Sequence, residues 1–158
     1  KLFYSGPDES SIEHEAFKKL DCQFINLSAK NDARCAQLIR DEEVDVLVDL
    51  SGFTQNSRSF IAAYKPARYH INWLGFAGSM GFYYKKPLFD FILADKYIIP
   101  DSKINDYAEK VLYLPHCYQP NIENRPKLIP KTKIDYGFNY NTFINASCSQ
   151  PINITTDQ

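Results

Sequence analysis

No apolar run in this sequence approaches the ~20 residues that a membrane-crossing helix needs, and no signal peptide is visible. Long blocks of Lys or Arg are missing as well, and the net charge is only −1. Composition therefore gives no support for a nucleic-acid partner. Cysteine is sparse: Cys22, Cys35, Cys117 and Cys148 form no CxxC pair and no zinc pattern. Such usage reads as reduced thiols in a cytoplasmic protein. No two of His14, His70 and His116 stand at metal-ligand spacing, so no metal is expected. Methionine occurs once, at Met80, so the sequence does not open on a natural start. The N-x-S/T matches at Asn26, Asn145 and Asn153 are chance matches in a cytoplasmic chain. Internal repeats and low-complexity tracts are absent.

What is present describes a folded protein. Hydrophobic residues make up 44% and aromatics 15% of 158 residues, which suits one compact α/β domain. Leu2-Phe3-Tyr4 reads as the tail of a strand, which leads us to expect residues upstream. Ser10 or Ser11 is positioned to cap a helix to Leu20, with Ile12, Ala16, Phe17 and Leu20 as its apolar stripe and His14 solvated. Phe24–Leu27 reads as a strand. Asn31 or Asp32 caps a second helix, to Glu42, with Cys35, Leu38 and Ile39 inward. Val44–Leu50 is the clearest strand, nearly continuously apolar at its centre, as a strand covered on both faces of a parallel sheet requires. Arg58–Tyr64 reads as helical and is stopped by Pro66. Further strands are expected at Tyr69–Leu74, Phe89–Ala94, Val111–Leu114 and Thr142–Ala146. Gln119–Lys133, with Pro120, Pro126 and Pro130, reads as a linker or surface crossover. Strands alternating with helices indicate a mostly parallel sheet with helices on both faces.

In open α/β sheets, ligands bind outside the carboxyl ends of the strands, so the loops that follow strands carry most weight. The first is Asp49–Arg58. Gly52 permits a turn with positive φ, Thr54 and Ser57 supply hydroxyls, and Arg58 can hold an anion in a fork. The same residues also fit a helix cap, with Asp49 on backbone N–H groups and Arg58 as its partner. The second is Trp73–Gly81, WLGFAGSMG, whose glycines fall at i, i+3 and i+6. That is not the GxGxxG fingerprint. It suits either an anion nest with close backbone approach or a tight turn. The third, Leu114–Pro120, sets His116 beside Cys117. Neighbours on an extended chain point apart, so a nucleophile–base pair is not expected; Cys117 packs inward and His116 sits at a polar surface. His70 is expected in core or interface.

In order, the blocks are YSGPD (Tyr4–Asp8), VDVLVDLSGFT (Val44–Thr54), KPARYHINWLGFAGSMG (Lys65–Gly81), FDFILAD (Phe89–Asp95) and YAEKVLYLPHCYQPN (Tyr107–Asn121). Together they resemble the catalytic region of protein O-GlcNAc transferases, above all bacterial and SPINDLY-like members. Phe53 stands where such members usually carry His or Tyr. The resemblance implies a GT-B enzyme of two Rossmann-like lobes, usually preceded by tetratricopeptide repeats. This chain would be the first lobe, residues 1–139, followed by the first strand and loop of the second, residues 140–158. The implied reaction is transfer of GlcNAc from UDP-GlcNAc to Ser or Thr of an acceptor protein. It inverts the anomeric carbon and needs neither metal nor cofactor. Leu74, Gly75, Ala77 and Gly78 are implied as the sugar-side wall, Thr54 and Arg58 as the cleft edge towards the acceptor, and Gln150 as a nucleotide-sugar contact. No catalytic residue is assigned.

A second position departs from the family pattern: Asn153 stands where a Lys is expected. A Lys there would stabilise charge on the leaving diphosphate, and losing such a donor costs about 2.7–4 kcal/mol in the transition state. Two alternatives stay open, the first of them motivated by Asn153. One is a degenerate binding or scaffold protein. The other is a related transferase that uses GDP-fucose or UDP-glucose. The isolated chain is expected to be inactive, since half a two-lobe cleft does not hold a donor.

Overall fold

The structure, a computed structural model, describes residues 1–7, 12–120, 129–144 and 146. It comprises two compact units, Lys1–Asn121 and Ile122–Gln158. The break falls in the proline-bearing stretch that the sequence marks as a linker.

In the first unit, β1 (Leu2–Tyr4) is followed by α1 (Ile12–Lys18), β2 (Phe24–Asn26), α2 (Asp32–Asp41) and β3 (Val46–Asp49). A 3₁₀ turn at Ser59–Tyr64 leads to β4 (Tyr69–Asn72). A short antiparallel hairpin, β5 (Phe82–Tyr83) and β6 (Lys86–Pro87), precedes β7 (Phe91–Ala94). A second 3₁₀ turn, Asp101–Asp106, leads to β8 (Lys110–Tyr113). The fold is α/β, and its main sheet is wholly parallel in the order β3-β4-β7-β8. β1 and β2 pair in parallel as a separate two-stranded sheet. Because β3, β4, β7 and β8 run the same way, the loops that follow them open at one edge of the sheet.

The Asn31 side chain caps α2, accepting the backbone N–H of Arg34 at 2.9 Å, so of the two capping candidates Asn31 is used. Cys35, Ala36 and Ile39 of α2 are buried with Leu27 and Ile61. Ala62, Met80, Leu88 and Phe89 form a second cluster, and Ile92, Ala94 and Ile99 a third. These clusters line the main sheet from α2 to β7, so apolar burial and the parallel ladder lock the loops at its carboxyl edge into place.

Four expectations are corrected. Ala16, Phe17 and Leu20 of the first helix region are exposed, while His14 is 5% exposed. The His14 ring packs 4.4 Å from Tyr4 and 5.5 Å from Phe24, so it meets β1 and β2. β3 is not covered on both faces. It is an edge strand, with Val46 46% and Val48 40% exposed. Ser59–Tyr64 winds as a 3₁₀ turn, ended by Lys65 in the left-handed region. Finally, Thr142, Phe143 and Ile144 pair in no strand, and Phe143 is exposed. In the second unit, a 3₁₀ turn at Ile134–Tyr136 ends on Gly137, and Lys133 Nζ donates to the carbonyls of Tyr140 and Thr142. The expected cap at Ser10 or Ser11, and Gln150 and Asn153, lie outside the described residues.

Candidate functional site

Four loops meet at the carboxyl edge of the main sheet, after β3, β4, β7 and β8. The first two interlock at glycines. Gly52 adopts φ +56°, and a Cβ built there would stand 2.4 Å from Cβ of Phe76. A Cβ on Gly75 would stand 2.4 Å from the Leu50 carbonyl oxygen and 2.6 Å from that of Ser51. Only a residue with no side chain lets the β4 loop lie against the β3 loop this closely. Leu74, just before Gly75, is held at φ +79°, a region that costs a leucine about 1–2 kcal/mol. Asn72, fully buried, donates from Nδ2 to the Phe76 carbonyl at 3.0 Å and shapes the turn from within. Leu74, Ala77 and Gly78 are half-buried, and Gly75 is exposed.

The far end of the glycine loop is held by a carboxylate. Glu109, 3% exposed, accepts from Ser79 Oγ at 2.8 Å and from the Met80 N–H at 2.7 Å. Ser79 Oγ in turn accepts the N–H groups of Gly81 and Ala108, each at 3.1 Å. Tyr107 donates its hydroxyl to the Ala77 carbonyl at 3.1 Å. Burial first, then the nearby Glu109 and Asp106 charges, push the Tyr107 phenol above its ordinary value and keep it a donor. These bonds tie the loop down from Ala77 to Gly81.

Asp95 joins the other two loops. Its Oδ1 accepts the N–H groups of Tyr97 and Ile98 at 2.9 Å, and its Oδ2 accepts that of Tyr118 at 2.8 Å. The bonds from Ile98, Tyr118 and Tyr97 hold its carboxyl below the usual value. Tyr118 then accepts from Trp73 Nε1 at 2.7 Å, which ties the loop after β8 back to the glycine loop. His116 and Cys117, between them, are both exposed; the expected inward Cys117 is not observed, because Tyr118 takes the anchoring role. His70 is fully buried in β4, with Nδ1 3.2 Å from Asp90 and Nε2 3.4 Å from the Ala67 N–H. Burial foremost lowers its pKa, so it is a neutral core group.

The residues singled out in the β3 loop have different surroundings. Thr54 is exposed. Arg58 points away from Asp49 and reaches the loop before α2. Its Nε donates to Asp32 at 3.0 Å, Nη1 to the Leu27 carbonyl at 3.1 Å and Nη2 to that of Lys30 at 2.6 Å. Its partner is Asp32, and the expected pairing with Asp49 is corrected. Asp49 Oδ1 accepts the Ser51 N–H at 2.8 Å, while its buried Oδ2 has no hydrogen-bond partner among the described residues. Sequence reasoning missed Asn72, Glu109 and Asp95 as the residues that hold the loops. Asp95 alone left a signal, an acid at a strand's end, where a carboxylate meets free N–H groups. Among the described residues, no group of three or more His, Cys, Asp or Glu side chains is placed to hold a metal ion, and no helix is long and apolar enough to cross a membrane.

The chain is similar to several known proteins over most of its length. The family model described as Glycosyl transferase family 41 matches residues 3–133. A "Probable UDP-N-acetylglucosamine--peptide N-acetylglucosaminyltransferase SEC" of Arabidopsis thaliana is 32% identical over 133 residues, 80% of this chain and 13% of that protein. A SPINDLY protein of Oryza sativa subsp. japonica, named as a probable enzyme of the same activity, is 29% identical over 144 residues, 87% of this chain and 15% of that protein. A solved structure, "Thermobaculum terrenum O-GlcNAc transferase mutant - K341M", superposes with a TM-score of 0.71 at 24% identity, over 81% of this chain and 24% of that one. The chain therefore spans less than a quarter of each of these relatives, and the last likeness speaks to fold alone. The matched residues include all four loops of the carboxyl edge, and the chain belongs to glycosyl transferase family 41.

Proposed function

We propose that this chain forms the first-lobe wall of the donor cleft in a protein glycosyltransferase. In this reading a longer polypeptide transfers GlcNAc from UDP-GlcNAc to Ser or Thr of an acceptor protein, with inversion and without a metal. The observation that carries the reading is the family match over residues 3–133, which includes the glycine loop and its tethers. The names of the Arabidopsis and rice relatives support the donor and the peptide acceptor. Leu74, Gly75, Ala77 and Gly78 offer the sugar side a surface of backbone and small side chains, which lets a sugar approach closely. Thr54 lies exposed at the same edge and serves the acceptor side. Arg58 acts there through position: its donors fix the β3 loop against α2. Gln150 is proposed as a contact to the nucleotide. Upstream tetratricopeptide repeats and a cytoplasmic location complete the proposal.

Asn153, at the expected Lys position, favours a second reading: a non-catalytic binding protein of the same family. Turnover of UDP-GlcNAc by the full-length polypeptide, changed little by Asn153→Lys, overturns the second reading. Calorimetric titration of the full-length polypeptide with UDP-GlcNAc, GDP-fucose and UDP-glucose identifies the donor, and tightest binding of UDP-GlcNAc supports the first reading's sugar. Preference for either other donor replaces the sugar, and no binding of any overturns a donor cleft. The 158-residue chain alone should transfer nothing; GlcNAc on a peptide after incubation with it would refute the two-lobe reading.

A further inference from the structure

Two of the bonds that fasten the glycine loop grip its carbonyl oxygens. Asn72, fully buried at the end of β4, donates from Nδ2 to the Phe76 carbonyl at 3.0 Å. Tyr107, ahead of β8, donates its hydroxyl to the Ala77 carbonyl at 3.1 Å. The peptide bonds are trans, so the C=O of one residue and the N–H of the next point in opposite directions. Drawing the Phe76 carbonyl towards Asn72 therefore turns the Ala77 N–H away from Asn72. Drawing the Ala77 carbonyl towards Tyr107 likewise turns the Gly78 N–H away from Tyr107. Among the described residues neither N–H meets an acceptor, whereas those of Met80 and Gly81 are both bonded. Ala77 and Gly78 are half-buried, and an amide that donates to nothing in the protein has to be met by solvent or by a ligand.

The charges around this pair of donors select the oxygen that suits them. No Lys or Arg occurs between Arg68 and Lys85, and Arg58 is engaged with Asp32 and two carbonyls. The charged group bonded to the loop is the buried carboxylate of Glu109, on Ser79 and Met80. A diphosphate here would meet like charge with no cation of the loop to offset it. A neutral hydroxyl or acetamide oxygen meets no such repulsion. An apolar face lies beside the donors, since the Phe76 ring folds over Gly78, where a Cβ would stand 2.6 Å from its Cζ. A few placed donors next to an aromatic ring suit a sugar, which carries oxygens at its rim and C–H groups on its faces.

We propose, on the nucleotide-sugar reading above, that Asn72 and Tyr107 are positioning residues for the transferred sugar. By holding the Phe76 and Ala77 carbonyls they aim the Ala77 and Gly78 N–H groups at oxygens of the sugar and not at the diphosphate. Neither side chain touches the ligand; each acts through one peptide unit. Glu109 and Ser79 fasten the residues that follow, so aiming the donors and anchoring the loop fall to different side chains.

The test compares UDP-GlcNAc with UDP in calorimetric titrations of the full-length polypeptide and its Tyr107→Phe variant. Phe keeps the ring and removes the hydroxyl, which frees the peptide unit between Ala77 and Gly78. The expected result is an affinity for UDP-GlcNAc lowered about 3- to 10-fold, the contribution of one hydrogen bond, with the affinity for UDP unchanged. Asn72→Leu, which removes the other anchor at similar volume, should show the same split. An unchanged affinity of Tyr107→Phe for UDP-GlcNAc overturns the inference. An equal loss for UDP overturns it as well, because Tyr107 would then be a structural support only. If the unaltered polypeptide binds no UDP-GlcNAc, the nucleotide-sugar reading falls and this inference with it, a failure distinct from the other two. Amide hydrogen exchange in the 158-residue chain checks the geometry without a ligand. Corrected for intrinsic rates, the Ala77 and Gly78 amides should exchange at least about tenfold faster than those of Met80 and Gly81, and equal protection of all four would overturn the outward donors.

Discussion

At Gly75, the space for a single methyl group is taken. A Cβ there meets the Leu50 carbonyl at 2.4 Å, and the obstacle is backbone, so the two loops must part. At Gly81 a Cβ meets nothing, and only φ +71° opposes it. Gly81→Ala should therefore cost about 1 kcal/mol, from the left-handed backbone alone. Gly75→Ala should cost about 2–3 kcal/mol, as overpacking does where the neighbours are rigid. Urea unfolding of the two variants checks the order, and equal or reversed losses would contradict the interlocked loops. The glycines of WLGFAGSMG were visible in the sequence, but which of them is blocked by backbone was not, because the blocking atoms come from residues 50 and 51.

Among the elements, α2 and the β3 loop are joined through Arg58. Its guanidinium serves Asp32 and two carbonyls at once, a geometry that one ammonium cannot reproduce. Arg58→Lys should lower stability by about 1–2 kcal/mol, the cost of leaving partly buried acceptors unmet, read as a fall in the urea midpoint. An unchanged midpoint would make Arg58 a free cleft residue. Local pattern revealed β2, α2, β4, β7 and β8 to within a few residues, since their apolar runs and caps are written in contiguous sequence. β3 shows where that reading ends. Its apolar run predicts cover on both faces, yet cover depends on which strand lies alongside, and beside β3 lies a gap. His14 is a second case: a ring between Tyr4 and Phe24 is placed by tertiary contacts that a helical period does not carry.

For the whole molecule, stability should fall with acid in two windows. Burial chiefly depresses the His70 pKa from its ordinary 6.5. Asp90 is also held low: burial, the largest influence, raises it, and the bonds from His70 with the Lys65 charge outweigh that. Asp95 is held low by the bonds from Ile98, Tyr118 and Tyr97. For each group the unfolded chain binds more protons between the folded and unfolded pKa, so stability rises with pH there. The urea midpoint should drop as pH falls below 6.5 through the His70 window, and again below the ordinary Asp value of 3.8. A midpoint that rises from pH 7 to pH 5 would contradict the neutral, buried His70. Fold and family were legible from five ordered blocks, whereas Asp95 and Glu109, which fasten the loops at the carboxyl edge, were not, because each joins segments distant in the chain. The proposed place of this chain in a GlcNAc-transferring enzyme is tested most directly by mass spectrometry of an acceptor protein after incubation with the full-length polypeptide and UDP-GlcNAc. The expected result is a gain of one N-acetylhexosamine per modified Ser or Thr, strongly reduced by Gly75→Ala and retained by Gly81→Ala; an acceptor left unmodified by a folded full-length polypeptide would contradict that role.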